Sequence, residues 1–129
     1  SSVGVIYLTY NGKLLTYNGK YLVYGGQVTY IPSLEISPEE MNFAGNGDAC
    51  ETSTISITVA NGAQSWIITG NNEWCSLSKT SGSGNDTVTV MCSMQSSGGS
   101  SRNTTLAVSS GTLVEYVSVT QNAYGVGCA

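Results

Sequence analysis

The chain has 129 residues, of which 9% are charged: four Lys or Arg, eight Asp or Glu and no His, for a net charge of −4. Soluble domains usually carry about 25% charged residues, and here Ser, Thr, Asn and Gly, 59 of the 129 residues, supply the polar surface instead. Without imidazole there is no Ser-His-Asp or Cys-His pair and no His metal ligand, and the four cations Lys13, Lys20, Lys79 and Arg102 form no basic stripe for a phosphate backbone, so neither a cofactor nor nucleic acid is expected.

No apolar run approaches the roughly 18 residues that a membrane-spanning helix needs. The opening Ser1-Ser2-Val3-Gly4-Val5 has no basic segment followed by an apolar one, so no signal peptide is visible, and a start at Ser1 fits either a removed signal or loss of an initiator Met. Residues 1–33 hold Lys13 and Lys20 and no acid, whereas all eight acids follow. Six of the eight tyrosines precede Pro32, and Pro32-Ser33 reads as the joint between an arm (1–33) and a body (34–123), with a tail over 124–129.

A seven-residue repeat runs through the arm as Tyr7–Lys13, Leu14–Lys20 and Tyr21–Gln27, each unit five strand-like residues and a two-residue turn. Asn11-Gly12, Asn18-Gly19 and Gly25-Gly26 suit type I′ turns, which need positive φ at both central positions, so a tight antiparallel meander is expected. The turns set Tyr10 opposite Lys13, Leu8 opposite Leu15, Tyr17 opposite Lys20 and Leu15 opposite Leu22. One face then carries Leu8, Leu15 and Leu22 flanked by Tyr10, Tyr17 and Tyr24, and the other is also largely apolar. Five-residue strands cannot bury two such faces alone. Either one face lies on the body, or the arm is an assembly element that packs against copies of itself or a larger structure.

From Leu34 onward, short alternating segments separated by turn clusters predict an all-β sandwich. Ile55, Ile57 and Val59 share one parity with Ser and Thr between them, as do Val88, Val90 and Cys92 with Thr87, Thr89 and Met91 opposite, and Leu106 and Val108, and Val117 and Val119, do the same; the Ser and Thr positions are the wet face. Pro38-Glu39-Glu40-Met41 is expected to form one short turn, and Gly82–Gly84 a glycine-rich turn.

Trp74 is expected in the core. Trp66 beside the polar loop Asn71, Asn72 and Glu73 is the candidate glycan site, since an indole offers a flat apolar face and an N–H donor. Glu35, Glu39, Glu40, Asp48 and Glu51 sit in no catalytic motif, and Asn46-Gly47-Asp48 and Asn85-Asp86 lack the calcium-loop spacing, so no catalytic residue and no metal is assigned. Cys50, Cys75, Cys92 and Cys128 allow three complete pairings. The favoured one joins Cys75 to Cys92 on neighbouring strands and Cys50 to Cys128 at the tail; the competing reading leaves Cys92 as a buried small hydrophobe.

The order of elements, Leu34-Glu-Ile-Ser-Pro38, Phe43, the strand Ser53–Ala60, Trp66 and Trp74, the strand Thr87–Cys92, Arg102 before Thr104–Val108, and Val117-Ser-Val-Thr-Gln-Asn-Ala123, resembles the BACON family over about residues 34–123. These are immunoglobulin-like modules of Bacteroidetes surface proteins and gut phages. The resemblance implies a seven- to eight-stranded sandwich and a glycan- or mucin-binding role, or a spacer in a secreted glycan-processing protein. The expected protein is therefore a non-catalytic display module, extracellular, at a cell surface or on a virion, anchored by its arm.

Overall fold

The computed structural model describes residues 6–10, 13–17, 20–21, 29–30, 32–60 and 65–129, and up to residue 30 it describes strand pairing. All elements among the described residues are strands. In the arm, β1 (Ile6–Tyr10), β2 (Lys13–Tyr17), β3 (Lys20–Tyr21) and β4 (Thr29–Tyr30) form one sheet of order β3-β2-β1-β4. Leu8 stands opposite Leu15, Tyr10 opposite Lys13 and Tyr17 opposite Lys20. The chain does not continue as a simple meander: β4 returns to the far edge of β1, with Ile6 opposite Tyr30, because that edge holds unpaired N–H and C=O groups. The three turn dipeptides, Leu22, Tyr24 and the Leu15–Leu22 register lie outside the described residues.

Among the described residues nine strands make the sandwich: β5 (Ser33–Ser37), β6 (Glu40–Phe43), β7 (Thr54–Ala60), β8 (Ser65–Thr69), β9 (Cys75–Leu77), β10 (Ser81–Ser83), β11 (Asp86–Cys92), β12 (Arg102–Ser110) and β13 (Leu113–Gln121). One sheet runs β10-β8-β12-β13-β6 and the other β5-β7-β11-β9. The count exceeds the implied seven to eight because Ser81–Ser83 pairs with β8 instead of turning. In place of the expected turn over Pro38–Met41, only Pro38 and Glu39 lie between strands, and Glu40 and Met41 already belong to β6. The chain leaves the smaller sheet at Ser37, passes a cis Ser37–Pro38 peptide, and enters the larger sheet as β6, parallel to β13 with Met41 beside Val119. That parallel pair makes the five-stranded sheet mixed.

The period-two pattern decides what lies between the sheets. Ile55, Ile57 and Val59 on β7, Val88 and Val90 on β11, Leu106 and Val108 on β12, and Val117 and Val119 on β13 are all buried, joined by Phe43, Trp66 and Ile68. Each such side chain contributes about 1.5–3 kcal/mol by leaving water, which is how a chain with so few charges holds its fold. At one end of the core Gln121 is fully buried and fully bonded. Its Nε2 donates to the carbonyls of Ala44, Gly45 and Ser93, and its Oε1 accepts from Arg102 Nε at 2.8 Å. A Cys50–Cys128 disulfide, hydrogen bonds between Gly45 N and Val126 O, and one from Asn122 Nδ2 to Gly127 O tie down the tail.

Candidate functional site

The outer face of the five-stranded sheet is built by the residues that the inward parity leaves behind. On β13, burying Val117 and Val119 turns Tyr116, Ser118 and Thr120 outward; on β12 the same alternation turns out Asn103, Thr105 and Ala107. Register lines them up across the sheet. Ala107 stands between Thr69 and Tyr116, Thr105 is opposite Ser118, and Ser118 is beside Glu40 on β6. The next row is Ile67, Ser109 and Val114.

Tyr116 is 61% exposed, and its cross-strand partner Ala107 leaves the space beside the ring open. Ile67 and Val114, 53% and 39% exposed, extend an apolar strip along the same face. Beside the ring runs a groove of about 510 Å³ lined by Pro38, Glu39, Glu40, Thr105, Tyr116 and Ser118. It shares Pro38, Glu40 and Ser118 with a second groove of about 590 Å³ that reaches Glu51, Thr52, Thr120 and the Cys50–Cys128 bridge. A flat apolar ring edged by hydroxyls and carboxylates matches the two-sided chemistry of a pyranose, whose axial C–H groups stack on aromatics while its hydroxyls need hydrogen-bond partners.

Trp66 does not belong to this face, which corrects the sequence-based site. It is 1% exposed, because β8 alternates Ser65 out, Trp66 in, Ile67 out and Ile68 in. Its ring lies on Gly82 and its Nε1 donates to Gly84 O at 3.0 Å, leaving neither a free face nor a free donor. Trp74, expected in the core, is only half-buried; the Arg102 guanidinium sits 4.7 Å over its ring and packs it at the sandwich end. Asn72 is committed as well, since its Oδ1 accepts from the backbone N–H groups of Trp74 and Cys75. Asn71 and Glu73 remain exposed. The structure therefore does not bring Trp66, Asn71, Asn72 and Glu73 together around one ligand.

The other polar candidates hold the fold. Asn46 Oδ1 accepts from Asp48 N while its Nδ2 donates to Asp48 Oδ2, closing a turn. Asn85 Oδ1 accepts from Val59 N, and Asp86 bonds Lys79 Nζ at 2.8 Å, where the ammonium holds the carboxyl below its usual range. Among the described residues no three His, Cys, Asp or Glu gather as a metal site. Cys50–Cys128 is bonded as expected, whereas Cys75 and Cys92 are thiols facing each other across β9 and β11. The alternation that places Val117 and Val119 inside also places Tyr116 outside, so the signal for it is present in the sequence.

Comparison with known proteins bears on the same strands. No curated protein matches the chain. Among solved structures it is similar to a Bacteroides ovatus GH5 xyloglucanase in complex with a XXXG heptasaccharide, at 27% identity and a TM-score of 0.59, over 71% of this chain and 19% of that one. The chain thus spans about a fifth of the enzyme's length. Residues 64–122 match the BACON family model, described as "Putative binding domain, N-terminal". The match is narrower than the resemblance over 34–123, leaving β5 to β7 to complete both sheets from outside it. The match spans strands β8 to β13 and is consistent with the BACON resemblance.

Proposed function

We propose that this protein is a non-catalytic, extracellular carbohydrate-binding module whose sugar-facing surface is the outer face of the five-stranded sheet around Tyr116. The observation that carries the reading is the exposed Tyr116 ring beside Ala107, bordered by Thr105, Ser118, Glu39 and Glu40 in one groove. The binding-domain family and the glycan-processing relative support the ligand class, and the Cys50–Cys128 bond fits an oxidising compartment. Among the described residues no helix is long and apolar enough to cross a membrane. Affinity electrophoresis in gels containing xyloglucan or mucin glycans tests it. Retardation of the wild type and its loss in Tyr116→Ala are expected; a wild type unretarded in every gel refutes the module and leaves a spacer, and equal retardation of both proteins refutes the Tyr116 face.

A second reading concerns the arm as an anchor in a multimeric surface or virion assembly. Its four strands pair with one another and with none of the described sandwich strands, as an attachment element would. Removing residues 1–31 and weighing both forms by light scattering tests this. A full-length chain that stays monomeric at high concentration defeats it.

A further inference from the structure

We propose that Cys75 and Cys92 are the site of a second disulfide, a cross-strand bridge that the fold already holds as two opposed thiols. The two residues are direct partners in the antiparallel β9–β11 pair. On either side of them the ladder is closed by Ser93 N to Trp74 O and Ser78 N to Thr89 O, both 2.9 Å. Antiparallel ladders alternate bonded and non-bonded pairs, so counting from 93–74 and 89–78 makes 91–76 a bonded pair and 92–75 a non-bonded one. Non-bonded pairs bring Cα atoms to about 4.5 Å and side chains closest together, which lies inside the window of about 4.4–6.8 Å that a disulfide spans. The register therefore sets the two sulfurs on the same side of neighbouring strands, within the span of one bridge.

The surroundings favour the same outcome. Cys75 is fully buried and Cys92 half-buried, so an oxidant meets the Cys92 sulfur first. Hydrogen bonding to Cys92 lowers the pKa of Cys75, which suits its sulfur to be the nucleophile that closes the bridge. Charge-balanced exchange follows with a disulfide oxidant, RSSR, of low molecular weight or protein origin. Cys92 takes one RS group and releases the first RSH. The Cys75 sulfur then displaces that group, forming Cys75–Cys92 and releasing the second RSH. Two electrons and two protons leave the protein with the two thiols. The same class of oxidant closes Cys50–Cys128, so one compartment serves both bonds. The bridge staples β9, an edge strand of its sheet, and with it the adjoining Trp74.

The test uses the full chain with native Cys50–Cys128 as its internal control. The protein is equilibrated with glutathione disulfide, denatured in iodoacetamide, digested and analysed by mass spectrometry before and after reduction. The expected result is one linked species containing Cys75 and Cys92, unlabelled, that separates on reduction. Carbamidomethyl labels on both Cys75 and Cys92 in a sample whose Cys50–Cys128 bond is intact overturn the proposal, as does linkage of either residue to Cys50 or Cys128.

Discussion

Gly82 lies flat against the indole of Trp66, so close that a Cβ at position 82 would overlap Cζ2 of the ring. The two residues are also direct partners in the β10–β8 ladder. Backbone and ring therefore share one boundary, and neither can move outward without breaking the strand pair. Gly82→Ala is expected to destabilise the protein by about 1–3 kcal/mol, the usual cost of overpacking, measured as a lower urea midpoint at unchanged slope.

The two aromatic residues on opposite faces of the same sheet separate binding from stability. Trp66→Ala removes a buried ring and is expected to cost about 3–5 kcal/mol. Tyr116→Ala is expected to leave the unfolding midpoint within about 0.5 kcal/mol of the wild type, as exposed substitutions do, while weakening glycan retardation. A large loss of stability from Tyr116→Ala would mean that its ring packs the fold.

Gln121 satisfies three carbonyls and one guanidinium N–H from a fully buried position. Gln121→Leu keeps the volume and removes every bond. Groups left unpaired in the interior cost about 1–3 kcal/mol each when buried, so a loss at the upper end of this range or beyond is expected in equilibrium unfolding. Arg102→Ala, which also uncovers the Trp74 ring, is expected to redshift tryptophan emission where Gln121→Leu shifts it less.

Lys79 and Asp86 form an exposed pair, and the ammonium lowers the Asp86 pKa from its usual 3.8. The folded value lies below the unfolded one. The contribution is therefore present above pH 3.8 and is lost as pH falls through the lowered folded value. Asp86→Asn should flatten this part of the acid limb of the stability profile, and high salt should do the same. An unchanged acid limb in Asp86→Asn would show that the pair adds nothing.

Cys50 and Cys128 are 78 positions apart in sequence. Closing a loop of that length restricts the unfolded chain by about 4.5 kcal/mol in the chain-entropy account. Replacing both residues with Ser is expected to lower stability by an amount approaching this, seen as a lower thermal midpoint, with the sandwich still folded.

Which residues would be inside was readable from alternation alone, because a strand's period of two ties every inward Val or Ile to an outward neighbour. Ile55, Ile57, Val59, Val88, Val90, Leu106, Val108, Val117 and Val119 follow from that rule without any knowledge of pairing. Applied to β13, the same rule puts Tyr116 on the outer face, where the structure has it. It gave no such answer for Trp66 and Trp74, each in a segment too short or too irregular to show its parity.

The sequence by itself determined an all-β chain with a hydroxyl-rich surface, an arm and a sandwich, since composition, turn dipeptides and periodicity are local properties. Only the tertiary structure decided that Pro38 marks a change of sheet, that Ser81–Ser83 pairs with β8 to press Gly82 on Trp66, and that Cys75 meets Cys92 while Cys50 meets Cys128. Those are choices of partner between distant strands. They depend on which faces and edges come together across the core, a contact that no residue's own neighbours in sequence specify.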